Sequence, residues 1–140
     1  MINDDLILTG KLAIAINGEV VQEVDNLVVT TGKSYVADRM KNNSTIMSHM
    51  AVGTSTSSAA ANNTTLITEI ARVGLTSTSV SGAVVTYVAS FGAGTGTGAI
   101  TEAGILNASS SGTLLCRTVF SVVNKGASDA MTITWTVSVS

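Results

Sequence analysis

Four charged side chains stand almost alone in the middle of this chain. Between Asn42 and Asn124 the only Asp, Glu, Lys or Arg residues are Glu69, Arg72, Glu102 and Arg117. Two acids flanking a groove can run hydrolysis by general acid and base, and a guanidinium fork can hold a carboxylate through two parallel hydrogen bonds. Nothing in the spacing sets a second acid beside Glu69 or Glu102 around a substrate, so hydrolysis gains no support. Two readings stay open: pairing within the chain or between subunits, or four ordinary solvated positions.

His49 is the single histidine and Cys116 the single cysteine. A zinc site takes three or four such ligands, and a Ser or Cys nucleophile needs an adjacent base. No metal, cofactor or enzymatic activity is therefore expected. His49 reads as a strand residue with a satisfied ring, and Cys116, inside an apolar alternation, as a buried inert thiol. Met40, Met47 and Met50 read as core or contact filler. The run Gly92-Ala93-Gly94-Thr95-Gly96-Thr97-Gly98 lacks the lysine of a phosphate-binding loop, and no helical pattern follows it. It is expected to be a flexible connection.

The elements that must position these residues come from an unusual composition. One domain is expected over residues 1–140, a length that buries one real core. Charged residues make up 11%, Ser and Thr together supply 37 positions, and proline is missing; a typical chain is ~25% charged. The surface must be largely hydroxyl and amide, with nothing to blunt its strand edges, which invites edge-to-edge association unless partners cover it. A net charge of -2 with no basic cluster argues against nucleic acid as a partner. No run approaches the ~18 apolar residues of a membrane span, and the first residues lack the basic start of a signal peptide. Synthesis in the cytoplasm and no membrane partner are the expectation, so the Asn-x-Ser/Thr triplets at Asn42, Asn43, Asn62, Asn63 and Asn107 are products of composition.

The clearest strand is the last. From Met131 to Ser140, Met131, Ile133, Trp135, Val137 and Val139 alternate with Thr and Ser, which gives one apolar and one hydroxyl face. Leu6 to Ile16 reads as a strand, Asn17-Gly18 as a hairpin turn and Glu19 to Val24 as its return. A helix is expected over Gly32 to Lys41, capped by Thr30 or Thr31, with Tyr35, Val36 and Met40 as its apolar stripe. A short strand at Ile46 to Gly53 leads into a polar loop from Thr54 to Thr65. Strands follow at Leu66 to Ser79, Ala83 to Phe91 and Thr113 to Asn124. Trp135, Phe120 and Tyr87 are the expected core anchors. The sum is a mainly β fold, a two-layer antiparallel β-sandwich or its jelly-roll variant, with one short α-helix near residues 32–41.

Three segments carry a resemblance. They are Asn26-Leu27-Val28-Val29-Thr30-Thr31-Gly32-Lys33; Met50-Ala51-Val52-Gly53-Thr54 with Thr65 to Arg72 after a polar loop; and Glu102 to Ala108 with Gly112 to Phe120 and Thr132 to Val137. In order and spacing they resemble small structural proteins of tailed bacteriophages, described as virion, tail-fibre-like or head-decoration proteins. The resemblance implies a non-enzymatic assembly component found in the virion and made in the bacterial host cytoplasm. It also implies a homo-oligomer, with a trimer favoured, whose partners are a major capsid protein or tail and collar proteins. A capsid decoration or cement role is favoured over a tail, collar or fibre role. A receptor- or glycan-binding module is a further alternative, disfavoured because the aromatics fall on apolar strand faces. Residues 1–24, outside the best-matching segments, are the candidate docking hairpin.

Overall fold

A computed structural model of the chain describes residues 6–140. The first five residues of the candidate docking hairpin, Met1 to Asp5, lie outside the described residues. In chain order the elements are β1 (Leu8–Ile16), β2 (Glu19–Val28), α1 (Thr30–Arg39), β3 (His49–Gly53), β4 (Glu69–Gly74), β5 (Ser77–Ser81), β6 (Val84–Phe91), β7 (Gly98–Leu106), β8 (Leu114–Lys125) and β9 (Met131–Val139). The fold is mainly β with one short helix, as its alternating pattern predicts. Its strands form one antiparallel sheet of nine, ordered β4-β3-β7-β8-β2-β1-β9-β6-β5.

That sheet is curled, and the bend has a definite place. β2 pairs with β1 along its length but meets β8 only where Leu27 faces Arg117 and Val28 faces Cys116. Beyond those two pairs the strands part and side chains bridge the gap. Gln22 Nε2 donates to the Ser121 carbonyl at 2.8 Å and Thr118 Oγ1 to the Asp25 carbonyl at 3.0 Å. Curling brings Leu12 and Ile14 of β1 and Ile133 and Trp135 of β9 into one core with Met50 and Val52 of β3 and Ile105 of β7. Trp135 is fully buried, Phe120 is buried in the same cluster, and half-buried Tyr87 packs against that cluster. In the sheet Trp135 sits between Leu12 and Tyr87 as their direct cross-strand neighbour, a position in which aromatic and aliphatic pairs stabilise a sheet.

Asn17 and Gly18 both adopt positive φ, 50° and 84°, as the tight turn between twisted strands demands. The hairpin they close is not a detachable arm. β1 lies between β2 and β9, and Leu12 and Ile14 are completely buried, so only the tip and outward faces of residues 6–24 are free to dock.

Three expectations are corrected. The single strand from Leu66 to Ser79 is two strands, β4 and β5, which form opposite edges of the sheet. Between them Leu75 donates its N–H to the Ser48 carbonyl and Thr76 to that of Val88, so the chain steps from one edge to the other without a turn signal. The helix starts earlier than its composition suggests, after Val29, with no side-chain cap. Thr31 Oγ1 instead donates to the Leu114 carbonyl at 2.8 Å, and a Cβ on Gly32 would collide with the Leu115 carbonyl. Helix and β8 therefore meet backbone to backbone. Met40, expected in the apolar stripe, lies past the last helical residue and is 84% exposed.

Burial pushes the Tyr87 phenol up to about 12 from its ordinary 10.0, and raises Tyr35 too. The fold favours the neutral phenol, so this contribution is fully present below pH 10 and is lost as pH rises towards 12. Thermal unfolding followed against pH should show a steep alkaline limb, coincident with tyrosinate absorbance, that is shallower in Tyr87→Phe. An equal limb in both proteins would show that Tyr87 does not set it.

Candidate functional site

The most highly organised polar site of the molecule lies on the outer face of β7 and β8, turned away from the main core. Arg117 stands directly across from Gly104, and Glu102 lies two residues along the same face. With no side chain at Gly104 in its way, the guanidinium reaches Glu102 diagonally across the strands. Arg117 Nε donates to Glu102 Oε1 at 3.1 Å and its NH2 nitrogen lies 3.0 Å from the same oxygen, both side chains being 0% exposed.

What covers the pair is the polar loop between β3 and β4, residues 54–68. Glu102 accepts three backbone N–H groups from it: Ile67 on Oε1 at 3.0 Å, and Ser55 and Thr68 on Oε2 at 3.1 and 2.7 Å. Arg117 donates to the carbonyls of Ser57 and Ser58 at 3.0 and 3.3 Å and to Asn63 Oδ1 at 3.0 Å. Thr101 Oγ1 adds a bond to the Ser55 carbonyl at 2.8 Å, and the Thr30 N–H one to Ala61. Beneath the loop Leu66 joins Val29, Ala51, Leu106 and Leu114 in a second, smaller apolar cluster. Desolvating two charges costs several kcal/mol each, and this site offsets that cost by giving both Glu102 oxygens and all three Arg117 nitrogens partners. Gly53 completes it, because a Cβ there would come within 2.5 Å of Glu102 Oε2.

Glu69 and Arg72 form the second pair, in the bidentate form. Arg72 Nε donates to Oε2 at 2.9 Å and its NH2 nitrogen to Oε1 at 2.8 Å. Residues three apart on a regular strand face opposite ways. Here Ala71 faces Val52 and Glu69 faces Gly53, so Ile70 is the extra residue of a β-bulge, and the bulge returns both side chains to one face. Arg72 also donates to the carbonyls of Ala108 and Ser111 at 3.0 and 2.8 Å, tying edge strand β4 to the β7–β8 turn.

At the other end of the sheet the loop Gly92–Gly98 is pinned rather than free. Lys125, 2% exposed, donates its ammonium to the Gly92 carbonyl at 2.9 Å. Nearby, Asn17 Nδ2 donates to Asp129 Oδ1 at 2.9 Å, Ala130 N–H to Asn17 Oδ1 at 2.9 Å, and Gly126 N–H to Asp129 Oδ2 at 2.7 Å. The bonds from Asn17 and Gly126 hold the Asp129 carboxyl below the usual range. His49 Nδ1 lies 2.7 Å from Ser48 Oγ. Cys116 is buried and its thiol is pushed up by burial, which suppresses thiolate chemistry. Among the described residues no three His, Cys, Asp or Glu side chains converge as metal ligands.

The four charged residues singled out by their isolation thus fall into two pairs at separate places, one sealed under a loop and one at a sheet edge. Their loop partners Ser57, Ser58 and Asn63, and the lysine that reaches the glycine loop, have no signature in the sequence. They act through backbone carbonyls or across long separations that no periodicity encodes. No known protein family, curated protein or solved structure matches the chain.

Arg117→Ala leaves the Glu102 carboxylate buried without its counterion and should cost ~3–5 kcal/mol. Arg72→Ala, at a partly exposed site, should cost ~1–2 kcal/mol. Chemical denaturation checks the order, and limited proteolysis checks the cause: cleavage within residues 54–68 should accelerate in Arg117→Ala and not in Arg72→Ala. Equal protection of the loop in both variants would refute the clamp.

Proposed function

We propose that this chain is a non-enzymatic structural protein of a bacteriophage virion, a capsid decoration or cement protein that works through protein–protein contacts. The observation that carries this reading is where the charge goes. All four charged groups of the central segment are spent on the chain's own loop and edge, which leaves a hydroxyl-rich surface and an edge strand, β5, exposed along all five residues. Such an edge offers unpaired N–H and C=O groups to another chain. Core residues drawn from both halves of the curled sheet support a sandwich-like arrangement of those halves, a shape that presents two broad faces for packing. The resemblance of the segments around Val28, Gly53 and Ile105 to phage structural proteins supports the same reading.

A tail, collar or fibre position would use the same kind of surface at far lower copy number. Quantitative mass spectrometry of purified particles separates the two. Copies comparable to those of the major shell protein are expected; a handful per particle would favour the tail or collar position, and absence from particles would overturn the virion reading.

A further inference from the structure

We propose that two copies of this chain pair edge to edge through β5, antiparallel and about a two-fold axis at Ser79, so that their sheets run on as one. This deepens the virion reading and rests on it only in taking β5 as a docking edge; it names a second copy as what that edge takes.

The two edges of the sheet differ in kind. β4 carries the Ile70 bulge and the Glu69–Arg72 pair, and Arg72 ties it to the β7–β8 turn. Bulges and charges keep an edge from recruiting strands. β5 has neither. Residues 73–101 contain no Asp, Glu, Lys, Arg or Pro, and every residue of β5 is exposed. β4 meets β6 across the core, so β5 overhangs the facing layer by one strand and is open to approach from the side. A two-fold contact sets each group near its own kind, which is costly wherever like charges meet. This uncharged edge lets a copy meet itself without that cost.

Backbone direction fixes the register. Val139 donates its N–H to the Ala83 carbonyl, so Ala83, Val85 and Tyr87 turn their polar groups to β9, while Val84, Thr86 and Val88 turn theirs to β5. The partners Ser81, Ser79 and Ser77 answer them, which leaves the N–H and C=O of Thr78 and Val80 directed outward. A two-fold at Ser79 sets Thr78 opposite Val80 of the second copy and gives all of those groups partners. A shift centred on Thr78 would set Val80 against Thr76, whose N–H is taken by the Val88 carbonyl. One centred on Val80 would bring in Gly82, held in the turn at φ 57°. Thr78 and Val80 share a face with Tyr87 and Val85 in a groove of about 470 Å³ beside α1. The second copy lays its own Val80, 72% exposed in the single chain, along that face and extends the groove. An isologous contact of this kind closes at two copies, in place of the trimer that the resemblance implies.

The test uses the full chain. Across the axis the two Ser79 residues form a non-hydrogen-bonded pair with Cα atoms ~4.5 Å apart, within the ~4.4–6.8 Å span of a disulfide. The native thiol, Cys116, is buried and does not compete. Ser79→Cys should oxidise to a covalent dimer, and Ser81→Cys, whose mate in this register is Ser77, should not. In sedimentation velocity the unaltered protein should shift from monomer to dimer over a concentration series, since a five-residue edge is a small contact. Val80→Lys, a change at an exposed position, should stay monomeric with unchanged circular dichroism. No cross-link at Ser79→Cys, equal cross-linking at Ser81→Cys, or an unaltered protein that stays monomeric or forms a trimer would each overturn the proposal. An unaltered monomer whose Val80→Lys variant fails to enter particles would overturn self-pairing and leave the virion reading standing. Absence of the unaltered protein from particles would overturn the virion reading alone.

Discussion

The Glu102–Arg117 pair is the constraint on which the rest of the outer layer hangs. Thirteen of the fifteen residues between β3 and β4 are Ser, Thr, Ala or Asn, without periodicity, and only Leu66 among them is a buried large apolar side chain, so burial alone gives the segment little to order itself by. A charge at the centre of the sheet's outer face supplies what burial cannot. It collects backbone N–H groups on one side and carbonyls on the other, and so converts a polar segment into a lid with a fixed path. In return the lid excludes water from the ions. Neither half is stable without the other, since an uncovered pair would be a weak surface bridge and an unpaired charge under the lid would be a severe penalty.

A similar economy explains the curl. β2 is long enough to serve both halves of the sheet, but it pairs with β8 through only two residues before the strands separate. This narrow joint lets one continuous sheet fold over its own apolar face, so that a chain with few aromatics fills its core with Ile, Val and Met around a single tryptophan. The two edges then lie close enough for Leu75 and Thr76 to link them directly. Glycine appears where backbones must touch: Gly32 against β8, and Gly53 against the carboxylate.

How much of this was legible in the sequence follows from which forces are local. The alternation from Met131 onward announced β9, its buried face and Trp135, and Asn17-Gly18 announced the hairpin, because a strand's two faces and a tight turn are written in neighbouring residues. The isolation of Glu69, Arg72, Glu102 and Arg117 made them conspicuous, but not how they pair. That depends on a bulge at Ile70 and on the absence of a side chain at Gly104, which only the register of three strands reveals. The break between β4 and β5 was hidden for the opposite reason: Leu75-Thr76-Ser77 continues the composition of both strands, and the change of edge is imposed by partners far away in the chain.

The place of β9 has a consequence for how the molecule is made. β9 follows β1 and β6 in the chain, yet it is not an edge but an insertion between them, paired along its length with both. Until Trp135 emerges, the core lacks its largest side chain, and two long strand edges stand open with nothing to bond. Pairing across more than a hundred residues is intrinsically slow, and unpaired edges are where nascent chains find the wrong partner. The sheet therefore becomes continuous only when β9 inserts, and a chain lacking β9 would leave both of those edges open.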